Sequence, residues 1–222
     1  MGGSALADDP LRAVSRETRE RLTLLVSELG RWQATTNLIG PKTLSEVWQR
    51  HIADSLQLVP LAPPSGPWLD LGSGAGFPGL VVAIARQGPD TVTHLVESNA
   101  KKCAFLRHAA RLTGADVVVH AGRLETVIPH LDPLPAVVSA RALAPLVDLI
   151  GWTKELLMAG VVGIFPKGQD VEAELTDASR YWNLSVDKHV SCTDPRGRIL
   201  VVTGLAPRGH SDDPHPVSHR PP

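Results

Sequence analysis

Apolar residues recur at helical spacing near the start of the chain. Leu11, Val14, Leu22, Leu25, Val26 and Leu29 share a face, with arginines and glutamates between them. The pattern predicts a helix over 11–29 with Gly30 as its stop. A second helical stretch is predicted over 43–61, where Leu44, Val47, Trp48, Ile52, Leu56 and Val59 line one side. Pro60, Pro63, Pro64 and Pro67 then break the chain. Residues 11–64 read as a helical cap, preceded by a small, polar and flexible N-terminus over 1–10.

After Pro67 the periodicity changes. Short apolar runs at 68–71, 91–96, 117–120, 136–139 and 161–165 alternate with helical patterns at 78–86, 100–112, 124–130, 145–158 and 171–181. Strand–helix–strand repetition predicts a parallel sheet covered on both faces. The ending differs, because 184–190 and 198–203 are separated only by a short turn and read as an antiparallel hairpin. The expected fold is α/β: a doubly wound, mostly parallel seven-stranded sheet over 65–206, closed by that hairpin and carrying the N-terminal cap. The stretch 207–222 has five prolines, three histidines (His210, His215, His219) and no aliphatic cluster, so it is expected to be disordered.

Composition adds limits. A chain of 222 residues with 43% hydrophobic and 20% charged residues has the makeup of a soluble folded domain. The net charge of −1 excludes a protein that is basic all over, although fourteen basic residues lie from Lys101 onward against eight before it, which allows a local basic face. Cys103 and Cys192 lack metal-type spacing and read as reduced thiols; no metal is expected. No apolar run reaches the ~20 residues that span a bilayer, and the N-terminus lacks the regions of a secretory signal. The expectation is a cytoplasmic protein with no membrane partner; the oligomeric state is not legible in the sequence, with a monomer favoured.

The chemistry concentrates at Asp70-Leu71-Gly72-Ser73-Gly74-Ala75-Gly76, where the first strand of the repeating pattern ends. Glycines there permit positive φ and let a nucleoside approach the backbone without meeting a Cβ. A dinucleotide oxidoreductase would use Gly-x-Gly-x-x-Gly; this chain has Gly-x-Gly-x-Gly followed by Phe77-Pro78-Gly79. Asp70 inside the strand suits a ligand with a cationic or amine group, or orders the loop through backbone N–H groups. Together with the closing hairpin, this favours S-adenosylmethionine over a nicotinamide cofactor, and a methyltransferase-like, Rossmann-like sheet over a dehydrogenase. Glu97 ends the second strand, placed either to accept the ribose hydroxyls or to cap the helix that starts near Ala100. Leu124 and Glu125 follow the third strand, beside an adenine edge or as an ordinary first helical turn.

The combination of motifs is specific where each piece alone is not. Asp70 to Gly79, Leu95-Val96-Glu97-Ser98 with Lys101-Lys102, Phe105-Leu106-Arg107, Ser139-Ala140-Arg141-Ala142, Phe165-Pro166-Lys167-Gly168, Asn37-Leu38-Ile39 and His51-Ile52-Ala53-Asp54-Ser55-Leu56 resemble the glucose-inhibited division protein B family, the ribosomal small-subunit methyltransferases G. The resemblance covers roughly 20–204. It implies N7 methylation of one guanosine in the decoding-region hairpin loop of 16S ribosomal RNA, with the RNA or the small subunit as partner. It also implies that Gly72, Phe77, Leu124, Glu125 and Arg141 contact the cofactor, to which the reading of the glycine-rich turn and of the second strand's end adds Asp70, Gly74 and Glu97. Glu97 stands where the family often has aspartate. Candidate RNA contacts are Asn37, His51, Lys101, Arg107, Arg123 and Lys167. For His51 with Asp54 a buried pair is the alternative, and for Asn37 a turn. Guanine N7 already carries a lone pair, so no catalytic base is assigned. A methyltransferase acting on a small molecule or protein, an oxidoreductase and a cofactor-sensing module remain as alternatives.

Overall fold

The computed structural model of the protein describes residues 11–40, 43–88 and 90–208. The N-terminal stretch 1–10 and the tail histidines His210, His215 and His219 lie outside the described residues. Seven strands form one sheet: β1 (Trp68–Leu71), β2 (Thr93–Glu97), β3 (Val117–Ala121), β4 (Val137–Ala140), β5 (Val162–Lys167), β6 (Trp182–Val190) and β7 (Arg198–Pro207). Their order is β3-β2-β1-β4-β5-β7-β6. The strands β1 to β5 pair in parallel, whereas β7 runs antiparallel to both β5 and β6. This is the doubly wound sheet with a terminal hairpin that the apolar pattern predicts. Strand order reverses between β1 and β4, which is where such sheets hold ligands.

The first helix, α1 (Arg16–Gln33), starts at Ser15, whose hydroxyl accepts the Thr18 N–H at 3.1 Å. It runs straight through Gly30, contrary to the expected stop. A glycine inside a helix costs ~1 kcal/mol, and the following turn offsets this. Trp32 packs edge-on to Phe105 at 5.7 Å. Gln33 accepts the N–H groups of Leu38 and Ile39 at 3.0 Å each, ordering the exit loop. The helix is joined to α4 (Ala100–Thr113) by Glu28, which accepts from His108 at 2.9 Å and Arg31 at 2.7 Å.

The stretch expected as one helix over 43–61 is broken into pieces. A π-helical turn, Trp48–Ala53, runs into the short α2 (Asp54–Leu56), and a 3₁₀ turn follows at Val59–Leu61. Ser55 donates back to the His51 carbonyl at 2.6 Å, a bond that competes with regular helical pairing. Gln57 holds the distant β6–β7 turn, accepting the Cys192 N–H at 2.9 Å. Tertiary anchors, not periodicity, set the shape here.

Two large apolar clusters flank the sheet. One joins Leu22, Leu25, Leu29, Ile52 and Leu56 with Leu80, Leu95, Phe105 and Leu106. Residues of the 11–64 segment therefore share a core with α3 (Gly79–Ala85) and α4, covering one face of the sheet. The opposite face is covered by α5 (Leu124–Val127), α6 (Leu146–Met158) and α7 (Val171–Ala178), packed around Leu69, Val96, Val138, Phe165 and Leu200.

Candidate functional site

The glycine turn is built from beneath by Asp70. Its side chain is fully buried: one carboxylate oxygen accepts the Gly79 N–H at 3.1 Å, and the other accepts the Ser139 hydroxyl at 2.7 Å. The Trp68 indole donates to that same hydroxyl at 2.8 Å. One carboxylate thus ties the end of β1 to α3 and to β4. Of its two expected roles, the geometry supports ordering of the loop. Asp70 lines neither cleft, because α3 and Ser139 enclose it. Gly79 is required by the same contact, since a Cβ there would lie 2.6 Å from the Asp70 carboxylate.

Burial pushes the Asp70 carboxyl up to about 6, against lowering by the Ser139, Ser73 and Gly79 hydrogen bonds and by Arg141. The unfolded chain releases this proton near 3.8 and the folded chain near 6. Between those values the folded state holds more protons, so the group's stabilisation is present at low pH and lost as the pH rises. The stability of wild type relative to Asp70→Asn should therefore fall by about 3 kcal/mol at most between pH 4 and 7. Urea denaturation of both proteins across that range measures it; a pH-independent difference would contradict the raised carboxyl.

Above the turn lie two clefts. The smaller, of about 400 Å³, is lined by Gly72, Gly74, Glu97, Leu124, Glu125 and Trp152, among others. Gly72 and Gly74 have φ of +63° and +55°, conformations that disfavour a side chain. The Glu97 carboxylate accepts the Gly74 N–H at 2.9 Å and the Asn99 N–H at 2.7 Å, one on each oxygen. Each oxygen keeps a lone pair for another donor. The cap of α4 is Asn99, not Glu97: its side chain accepts from the N–H groups of Lys101 and Lys102. An acceptor pair beside a bare backbone turn, facing the apolar Leu124 and an indole, fits a nucleoside with a free ribose diol.

The larger cleft, of about 810 Å³, is lined by Thr43, Arg50, His51 and Asp54 on one side and by Lys167, Ser191, Thr193 and Arg198 on another. Arg141, Ala142 and Leu143 line both clefts and form their common wall. Ala142 adopts a φ of +52° there. Phe77 lines neither cleft. It is 5% exposed, with the His51 ring stacked on it at 4.8 Å and the Arg141 guanidinium 5.6 Å from its centre. Burial, and next the Arg141 charge, hold the His51 imidazole down at about 4.

The expected RNA contacts separate. Arg123 is exposed on the rim of the smaller cleft, and Lys101 is exposed at the start of α4. Arg107 is exposed but turned to the Val119 carbonyl at 3.2 Å. Asn37 lies exposed in the loop after α1 and lines neither cleft. Lys167 is not available to a phosphate in this geometry: its side chain is 8% exposed, 2.7 Å from Glu174 and donating to the Ala144 carbonyl. The sequence reading also missed lining residues. Trp152, Thr43, Arg50 and the 191–199 stretch carry no motif of their own, and only the topology brings them to the clefts.

A doubly wound sheet with a nucleoside-sized cleft at its reversal point and an antiparallel closing hairpin defines a Rossmann-like, class I methyltransferase fold. Solved structures agree on the fold. The O-methyltransferase TomG from Streptomyces achromogenes, in complex with SAM, superposes with a TM-score of 0.56 at 16% identity, covering 86% of this chain and 92% of that one. The O-methyltransferase from Bacillus cereus in complex with SAH gives 0.55 at 13% identity, covering 85% and 91%. Residues 18–200 match the model of the GidB family, rRNA small subunit methyltransferase G, and the chain belongs to that family. Ribosomal RNA small subunit methyltransferase G of Methylorubrum populi is 56% identical over 194 residues, 87% of this chain and 92% of that protein. The protein of the same description from Bradyrhizobium diazoefficiens is 50% identical over 212 residues, covering 93% and 81%. The oxidoreductase alternative falls with this finding.

Proposed function

We propose that this protein transfers a methyl group from S-adenosylmethionine to N7 of one guanosine in the decoding-region loop of 16S ribosomal RNA. The observation that carries the reading is the wall shared by the two clefts, Arg141 to Leu143, which would set a donor in the smaller cleft against an acceptor base in the larger. The names of relatives that are half or more identical supply the RNA. A ribosomal RNA substrate supports the cytoplasm as the place of work.

When bound, the cofactor supplies an electrophilic methyl group on a sulfonium. The protein's own part is binding and alignment. The free lone pairs of Glu97 would accept the ribose hydroxyls, while Gly72 and Gly74 would let the nucleoside lie against the backbone. Leu124, Glu125 and Trp152 would wall the base. Guanine N7 needs no deprotonation, so no side chain has to remove a proton. Holding donor and acceptor in line contributes ~7–11 kcal/mol at best. A base in a single-stranded loop is open to such edge contact, and the exposed Arg123, on the rim of the smaller cleft, suits a phosphate of the strand beyond it.

The purified protein should transfer labelled methyl from S-adenosylmethionine to small subunits, or their RNA, isolated from a strain lacking this modification. The label should map to a single guanosine. No incorporation under conditions where the cofactor demonstrably binds would overturn the reading; labelling elsewhere in the RNA would keep the chemistry and refute the site.

A further inference from the structure

A third opening lies beside the larger cleft. It has a volume of about 480 Å³ and two walls, residues of the 45–50 stretch on one side and Thr193, Asp194, Pro195 and Arg196 on the other. That size suits one small molecule or one part of a larger one. Arg50, Thr193 and Asp194 line both spaces, so the opening is continuous with the larger cleft. None of its residues lines the smaller cleft. On the RNA reading, what fills it extends the acceptor and not the donor.

The walls are tied together by the protein itself. The Arg50 carbonyl accepts Arg141 at 2.9 Å, and the Thr193 hydroxyl donates to Asp54 at 2.6 Å. Arg141 and Asp54 are 3.0 Å apart, so a single ion pair connects the two sides. In the second wall the Asp194 side chain accepts the Arg196 N–H and its carbonyl accepts the Gly197 N–H, each at 2.9 Å, which fixes the turn around Pro195. Walls held in this way lose little freedom when a ligand enters.

The chemistry of the opening is that of a stacking site. Trp48 is partly buried: it packs against the apolar cluster shared with α3 and α4, and it also lines the opening. Pro195 is exposed on the other wall and carries no polar group on its ring. Arg50 and Arg196 stand beside them, with side chains 60% and 74% exposed. Their partners, Glu46 at 3.2 Å and Asp194 at 3.9 Å, are exposed as well, and water leaves little strength to such pairs. Both guanidiniums can therefore turn to a phosphodiester. Two arginines against two carboxylates give no net charge, so the opening does not draw a strand in by long-range attraction. What it adds is a flat aromatic face with cations next to it, the combination on which unpaired bases stack.

We propose that this opening is a second RNA subsite, in which the base of a nucleotide next to the target guanosine stacks on Trp48. The proposal rests on the RNA reading above and extends it from one guanosine to its neighbour in the strand. Trp48 thereby helps to select the loop, because a base held in a duplex is not free to stack there.

The test compares Trp48→Leu, which keeps an apolar side chain on the core but removes the aromatic face, with Trp48→Phe, which keeps a ring. The Leu variant should raise KM for small-subunit RNA about tenfold, the scale of one lost base stack. Its kcat, and its affinity for S-adenosylhomocysteine by calorimetry, should stay within about twofold of wild type. The Phe variant should recover most of the lost KM. The slope of log KM against log salt concentration should match wild type in both, since stacking releases no counterions. A photoreactive benzophenone amino acid in place of Gln49, in the same wall, should crosslink to the RNA of small subunits within a few nucleotides of the methylated guanosine. An unchanged KM in the Leu variant, equal KM losses in the two variants, or a changed salt slope would overturn the proposal. Crosslinks to ribosomal protein alone would overturn it too, by making the opening a protein-docking site. So would a matching loss of S-adenosylhomocysteine affinity, which would show that Trp48 supports the smaller cleft. Absence of RNA methylation by the wild type would instead fail the functional reading itself.

Discussion

Replacing Glu97 by alanine should weaken S-adenosylhomocysteine binding by about a hundredfold. Glu97 is 8% exposed, and its carboxylate holds two backbone N–H groups, those of Gly74 and Asn99. Its free lone pairs face the smaller cleft, placed for a ribose diol. Hydrogen bonds to a charged group are worth about 1.5–3 kcal/mol each, so losing a pair of them accounts for the hundredfold. The same substitution also leaves Gly74 without its acceptor and loosens the turn that must lie against the nucleoside. Glu97→Gln should fall between, since an amide keeps one acceptor oxygen but cannot serve both backbone donors. Calorimetric titration distinguishes the three proteins. An alanine variant within threefold of wild type would mean that Glu97 orders the loop and does not touch the ligand.

Gly79→Ala should cost the fold about 3 kcal/mol, at the upper end for overpacking. Its new Cβ would lie 2.4 Å from Leu95 Cδ2, 2.6 Å from the Asp70 carboxylate and 2.7 Å from Asp70 Cβ. None of these can give way easily, because Leu95 is fully buried and Asp70 is tied to Ser139 as well as to Gly79. Gly74→Ala is the informative control. Its Cβ would meet only the Gly72 carbonyl oxygen, at 3.7 Å, so its cost is that of the left-handed backbone, about 1–2 kcal/mol. Urea unfolding of both variants should rank Gly79→Ala well below Gly74→Ala. Equal midpoints would show that α3 shifts aside, and that Asp70 does not need its bond to Gly79.

These residues also mark what the chain discloses before it is folded. The buried strands could be read because short, mostly apolar runs such as 68–71 and 136–139, bounded by prolines and glycines or small residues, suit a strand covered on both faces. The glycine turn could be read because positive φ leaves a compositional trace. Directions could not. Asp70 precedes the glycines as a ligand-facing carboxylate would, yet Gly79 and Ser139 surround it, and that follows only once β4 lies beside β1. Lys167 ends β5 at the ligand end of the sheet, but Glu174 on α7 takes its charge. Gly30 looked like a stop because local propensity favours one; Trp32 and Gln33 override it through contacts made elsewhere. The 43–61 segment shows apolar spacing compatible with a helix, while its real shape comes from hydrogen bonds to residues more than a hundred positions away.

Those long bonds have a consequence for assembly in time. The smaller cleft is made from residues between Gly72 and Trp152. The larger one joins an early segment, Thr43 to Asp54, to a late one, Ser191 to Ile199, through Asp54–Thr193 and Gln57–Cys192. During synthesis, every residue of the smaller cleft is translated before the far wall of the larger one. The early segment must wait for that late turn to be clamped. A newly made molecule has the residues of the smaller cleft before it has all those of the larger.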